Sequence, residues 1–213
     1  MNRPSVRATL GSLLLCSTLS SNAAVDDSYR FEVLLDDRPI GEHRFEIDRS
    51  GDQQQVASEA EFKVDFLFFT AYRYQHQSQE VFRNGCLQRI RARTNDNGTR
   101  YRIDGAARDD GFRIDRGEQV ETAQGCIKTF AYWDPSILDQ RRLLNPQTGE
   151  LEPVVVRRQG TERIELDGRR IPASRYRLET GELSIDLWYH DELGWVRLAS
   201  DTGKGATLIY RRI

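Results

Sequence analysis

From Tyr29 onward, apolar and polar positions alternate with a period of two along almost the whole chain. Tyr29, Phe31, Val33 and Leu35 fall on one side of a strand, with Arg30 and Glu32 on the other. Val56, Ala60, Phe62 and Val64 repeat the pattern against Glu59, Glu61 and Lys63, and Tyr101 and Ile103 alternate with Arg100 and Arg102. Tyr176 and Leu178 oppose Arg175 and Arg177 in the same way. Successive strand side chains point to opposite faces, so this alternation predicts half-buried strands with one face on a core.

Turn signals separate the strands: Asp36-Asp37, Arg49 to Gly51, Asn95 to Gly98, Asp109 to Gly111, Asp167-Gly168, Thr180-Gly181, Leu193-Gly194 and Asp201 to Gly203. Asn-Gly and Asp-Gly supply the positive φ angles of tight hairpins. Short spacing without helical crossovers makes the neighbours antiparallel. The predicted fold is mostly β, an antiparallel meander forming a curved half-barrel or barrel. One segment breaks the rhythm, because Asp134-Pro135 followed by Ile137, Leu138 and Leu143 reads as an N-cap, a first-turn proline and one short covering helix. That helix is expected to act as a plug between two groups of strands. With no Ser-rich spacer and no long repeat, residues 24–213 are read as a single β-rich domain.

The N-terminus changes the picture of compartment. Arg3 and Arg7 precede the apolar stretch Leu10 to Leu19, and Ser21, Asn22, Ala23 and Ala24 follow it, which is the order of a secretory signal. Cleavage is expected after Ala23, making residues 1–23 a signal peptide and the mature protein periplasmic or secreted. The stretch is too short to span a bilayer, and no later segment approaches the roughly 20 apolar residues that a span needs, so no transmembrane segment is expected in the mature chain. Cys16 follows Leu15, a poor residue before a lipidated cysteine, and is expected to leave with the leader. Cys86 and Cys126 then remain in a compartment that permits disulfides; a bond between them is the leading reading, and two buried thiols the other.

A charged fraction of 30% suits a sheet with a polar outer face and a thin core. The net charge of −2 becomes more negative once Arg3 and Arg7 are removed, which argues against nucleic acid as a partner.

Tyr72-x-Tyr74-x-His76 with Glu80, Gly85-x-Leu87 and Thr94-x-x-Asn97-Gly98 together resemble an uncharacterised bacterial exported family, the domain of unknown function DUF6134. Tyr132-Trp133, Leu143-Leu144-Asn145 with Thr148-Gly149-Glu150, Ala173-x-x-Tyr176, Leu187-Trp188-Tyr189 and Ile209-Tyr210 extend the likeness over nearly all of the mature chain. The resemblance implies an exported β-rich domain and supplies no activity. More distantly, the layout is similar to the half-barrel of periplasmic lipoprotein carriers, where a curved sheet holds acyl chains under a helical cover.

Candidate ligand-binding residues fall in three places. Phe66, Phe68, Phe69 and Tyr72 belong to an apolar run that loses the period of two; it is read as a buried strand, or else as the lining of an acyl-sized cavity or a membrane contact at the barrel mouth. Tyr72, Tyr74, His76 and Glu80 share one face of a continuous strand, as a polar anchor, an acid/base pair, or a hydrogen-bonded row at the sheet surface. Trp133, Trp188 and His190 complete the set, Trp188 and His190 sharing a face beside Asp191. The three histidines His43, His76 and His190 lack close ligand spacing, so no metal and no cofactor is expected, and no hydrolase or phosphate-loop motif occurs. Arg89, Arg91 and Arg93, with Arg100 and Arg102, read as a solvated strand face more readily than as a lipid head-group site. The leading functional expectation is an envelope protein that carries a lipid or other apolar small molecule in the concavity. The alternatives are an enzyme using His76/Glu80 or His190/Asp191, and a noncatalytic scaffold. Catalytic residues and oligomeric state stay unassigned.

Overall fold

The computed structural model describes residues 25–66, 69–181, 183–202 and 205–213. The signal peptide expected at 1–23 therefore lies outside the described residues. The first eight strands are β1 (Val25–Leu35), β2 (Arg38–Ser50), β3 (Gln53–Phe66), β4 (Phe69–Arg83), β5 (Cys86–Asp96), β6 (Thr99–Arg108), β7 (Gly111–Asp115) and β8 (Val120–Ala123). A short hairpin of β9 (Arg142–Leu144) and β10 (Leu151–Pro153) follows, then β11 (Val155–Leu166), β12 (Arg169–Thr180), β13 (Leu183–His190), β14 (Gly194–Asp201) and β15 (Thr207–Arg212).

Among the described residues, 13 strands form one sheet in the order β11-β12-β13-β14-β15-β1-β2-β3-β4-β5-β6-β7-β8, every neighbour antiparallel. Hairpins make this order because the turns accept positive φ: Asp36 and Asp37 lie at 47° and 64°, and Asn97 and Gly98 at 48° and 98°. The first and last described strands meet in the middle of the sheet, where Val33 of β1 pairs with Tyr210 of β15. The sheet edges are β8 and β11, and the segment from 124 to 154 joins them. It does so on the concave side, as the plug reading expects. Leu87 N–H donates to the Ile127 carbonyl (2.8 Å) at one side, and the Tyr189 hydroxyl donates to the Tyr132 carbonyl (2.8 Å) at the other.

The covering helix is a single 3-10 turn, Pro135–Asp139, whose N-cap Asp134 accepts the Ser136 N–H. It goes no further because Leu143 and Leu144, fully buried, are drawn into the β9–β10 hairpin, with Leu151 opposite Leu144. Inward side chains of the sheet and of this segment make one continuous core. At its centre Trp195 packs on Phe31 (ring centroids 4.1 Å apart), Tyr132 (5.4 Å) and Phe45 (5.6 Å). The Cys86–Cys126 disulfide fastens the beginning of β5 to the crossing segment.

Close packing at one inward glycine is exposed to test. A Cβ at Gly105 would stand 2.7 Å from Ile90 Cγ2 and 2.8 Å from a Phe112 ring atom. Gly105→Ala is expected to lower stability by about 1–3 kcal/mol in urea denaturation, the usual cost of overpacking.

On the opposite face, Ile164, Ala173, Trp188 and Val196 form a separate small cluster. Trp188 is flanked by the guanidinium groups of Arg175 and Arg197, each 5.2 Å from a ring centroid, and its indole N–H donates to Glu162 (3.1 Å). The basic row of β5 and β6 is also outward: Arg91 and Arg102 share Asp104 at 3.6 and 3.0 Å. Exposed pairs of this kind contribute little to stability.

Candidate functional site

Strand register explains why there is space inside the sheet. Ala60 of β3 lies between His43 of β2 and His76 of β4, and Ser58 lies between Phe45 and Ser78. Small residues on the middle strand leave the two imidazoles facing across roughly 10 Å of backbone separation, two strand spacings. The result is a cavity of about 290 Å³. Phe45, Val56, Ile185, Leu198, Leu208 and Trp133 contribute apolar wall. Exposed Leu183, Asp201 and Gln147 mark its mouth.

A polar stripe runs through this wall. His76, Ser78 and Glu80 sit at alternate positions of β4, so all three face inward and are buried. The Glu80 carboxyl accepts from the Ser78 hydroxyl (3.0 Å) at one oxygen and from the Thr129 hydroxyl (2.8 Å) at the other. Burial nevertheless raises its pKa, against the lowering effect of those two hydrogen bonds. His76 Nδ1 meets the Thr94 hydroxyl (2.9 Å), and burial lowers its pKa to about 4. His43 meets Tyr210 Oη through Nδ1 (3.2 Å) and Ser58 Oγ through Nε2 (2.7 Å). Burial, and secondarily the neighbouring His76, lower its pKa to about 3. Burial also raises the phenols of Tyr74, Tyr132 and Tyr210. At neutral pH the stripe therefore presents its two imidazoles and its phenols as uncharged hydrogen-bonding groups. Glu152 completes it, accepting from Asn145 Nδ2 (2.7 Å) and from the Thr180 hydroxyl (2.8 Å).

Tyr74, His76, Glu80 and Trp133 thus come together around one interior. Tyr72 is half-buried against the core beside Tyr74. Residues 67 and 68, and with them the candidate Phe68, lie outside the described residues. The surrounding backbone corrects the reading of 66–72 as one buried strand, since Phe66 ends β3 and pairs with Phe69 at the start of β4, a hairpin formed without Gly, Pro or Asn to signal it. Trp188 lies on the outer face. His190 Nδ1 accepts the backbone N–H groups of Glu192 (3.2 Å) and Leu193 (3.3 Å), capping the β13–β14 turn away from the cavity. Neither proposed acid/base pair converges on a shared proton: four residues of strand separate His76 from Glu80, and Glu80 is held by hydroxyls. Among the described residues no three His, Cys, Asp or Glu side chains gather as a metal site. No helix of the described residues is long and apolar enough to cross a membrane.

His43, Ser58, Thr94, Thr129 and Tyr210 were not among the candidate ligand-binding residues, although His43 was weighed as a metal ligand and Thr94 and Tyr210 carry part of the family likeness. Alternation alone could have placed His43 inward with Phe45 and Ile47, and Ser58 inward with Val56 and Ala60.

Among solved structures, the chain is similar to the beta-barrel-like protein of domain of unknown function DUF1849 from Brucella abortus. The TM-score is 0.66 at 12% identity, covering 89% of this chain and 96% of that one. Such a likeness carries the fold. No curated protein matches the chain. The family described as Domain of unknown function (DUF6134) matches residues 31–213, and the chain belongs to it.

Proposed function

We propose that this chain is an exported envelope protein that binds or carries a small apolar molecule, a lipid or a lipid-like compound, in the concavity of its sheet. The observation that supports it is the interior cavity itself, apolar on most sides with a short stripe of fixed polar groups. That combination is the usual make-up of a small-molecule site. A volume of about 290 Å³ stands at the lower end of the roughly 300–1,000 Å³ common for such sites. The cargo is accordingly one short acyl chain or a compact apolar molecule, and a diacyl lipid would have to leave part of itself outside. Arg3 and Arg7 ahead of an apolar stretch, the secretory order of residues 1–23, support export.

Native mass spectrometry of protein purified without detergent from a bacterial periplasm is expected to show a bound species of a few hundred daltons. It should depart on mild activation, and delipidated protein should take up one equivalent of an added single-chain amphiphile. Recovery of the mature mass alone, together with no uptake of any such amphiphile, would remove the basis for this function.

A further inference from the structure

We propose that the cavity selects an uncharged apolar molecule bearing a hydroxyl group, an alcohol in place of an ionised fatty acid. This rests on the binding function above and specifies the head group that the polar stripe receives.

Counting protons in the stripe leads there. The Thr94 hydroxyl lies 2.9 Å from His76 Nδ1 and 3.1 Å from the carbonyl oxygen of Gln147. A carbonyl only accepts and a hydroxyl has one proton to give, so Thr94 donates to Gln147 and accepts from a protonated Nδ1. The hydrogen-bond network thereby assigns the tautomer, leaving a lone pair on His76 Nε2. His76 is 3% exposed and lines the cavity, and among the described residues Nε2 makes no hydrogen bond and is not fully enclosed, so it opens onto the cavity. An acceptor open to the cavity is free to receive a proton from a ligand, which there takes the place of water.

The neighbouring chain Tyr210–His43–Ser58 supplies the complementary half. Neutral His43 has one N–H and one lone pair for two hydroxyl contacts. If Nδ1 carries the proton, Ser58 donates to Nε2 and the Tyr210 proton is unused. If Nε2 carries it, Tyr210 donates to Nδ1 and the Ser58 proton is unused. Either way one hydroxyl proton is available at the cavity wall. The Tyr132 phenol lines the same cavity.

Charge at the polar stripe disfavours an anion. Both oxygens of Glu80 and both of Glu152 already accept hydrogen bonds within the protein. Among the described residues lining the cavity there is no Lys or Arg. A carboxylate ligand would be stripped of water beside two protein carboxyls without a counter-charge, which is strongly unfavourable. An alcohol gives one proton and accepts up to two, as the stripe requires.

Three probes of equal chain length distinguish the sources of affinity: 1-decanol, its methyl ether and decanoate, titrated at pH 8 with tryptophan fluorescence and native mass spectrometry. The alcohol is expected to bind about 10-fold more tightly than the ether, the worth of one good hydrogen bond. It should bind more than about 100-fold more tightly than decanoate, which bears the cost of a buried charge. Thr94→Val frees the His76 tautomer and should shrink the alcohol-to-ether ratio to about 3-fold or less without weakening the ether. In the unaltered protein, imidazole ¹⁵N shifts should report His76 as the Nδ1–H form, so the assignment does not depend on the variant folding. Equal binding of alcohol and ether, preference for decanoate, or an Nε2–H form of His76 would each overturn hydroxyl selection while leaving the cavity's binding role intact. Failure of all three probes to bind would instead remove the binding role, and this inference with it.

Discussion

Lowering the pH from 6.5 to 4.5 is expected to remove about 4 kcal/mol of stability through His43 and His76, since each contributes close to 1.4 kcal/mol per pH unit while only the unfolded chain takes up its proton. Both imidazoles have folded pKa values below their ordinary 6.5, about 3 for His43 and about 4 for His76. Their contribution is therefore fully present above pH 6.5 and is lost as pH falls toward the folded values. Glu80 acts in the opposite sense. Its raised pKa means that the folded chain holds that proton more tightly, so its contribution is present below the ordinary 4.5 and disappears as pH rises through the folded value. Acidification thus returns part of what the imidazoles lose, and the net loss is at least about 2 kcal/mol. Glu80→Gln abolishes the return, so its loss on acidification should be the steeper of the two proteins. Urea denaturation at pH 7 and pH 4.5 measures both slopes. Equal stability at the two pH values would mean that the imidazoles titrate as they do in the unfolded chain.

Cys86→Ser, or reduction of the native bond, is expected to cost about 4 kcal/mol on the chain-entropy account of cross-links. The bond joins residues separated by 40 positions, and it fixes the crossing segment at the point where Leu87 N–H meets the Ile127 carbonyl. That segment supplies Thr129 to Glu80 and Ala131, Tyr132 and Trp133 to the cavity. Loosening it therefore affects both the core and the site. Oxidised and reduced protein compared by urea denaturation should differ in midpoint, and a difference below about 1 kcal/mol would show that the crossing segment is held by packing alone.

Much of the strand layout was legible because it is written locally. The alternation at Tyr74, His76 and Glu80 placed three side chains on one face without any knowledge of neighbours, and Asn97-Gly98 and Asp167-Gly168 marked hairpins by their need for positive φ. Pairing between distant segments is not local. Tyr210 reaches His43 only because β15 pairs with β1, which in turn pairs with β2, and no spacing in the chain encodes that. Thr129 reaches Glu80 only because a largely irregular segment crosses the concavity, where no periodicity exists to be read. The Phe66-to-Phe69 hairpin was hidden by its composition, and the amphipathic pattern after Pro135 was shared between one 3-10 turn and a small hairpin. Trp188 shows the limit of parity arguments: it lies opposite Leu187 and Tyr189 as alternation predicts, but alternation does not say which face meets the core, and its face is the outer one.

Filling the cavity tests its role most directly. Ala131 is 5% exposed and lines the cavity from the crossing segment, so Ala131→Phe adds apolar volume where a ligand would lie. The variant should retain the β-sheet circular dichroism, the disulfide and a stability within about 1–3 kcal/mol of the parent. Its affinity for 1-decanol should fall by more than about 10-fold. Undiminished binding by a folded Ala131→Phe protein would place the ligand elsewhere and contradict the assignment of the concave interior as the binding site.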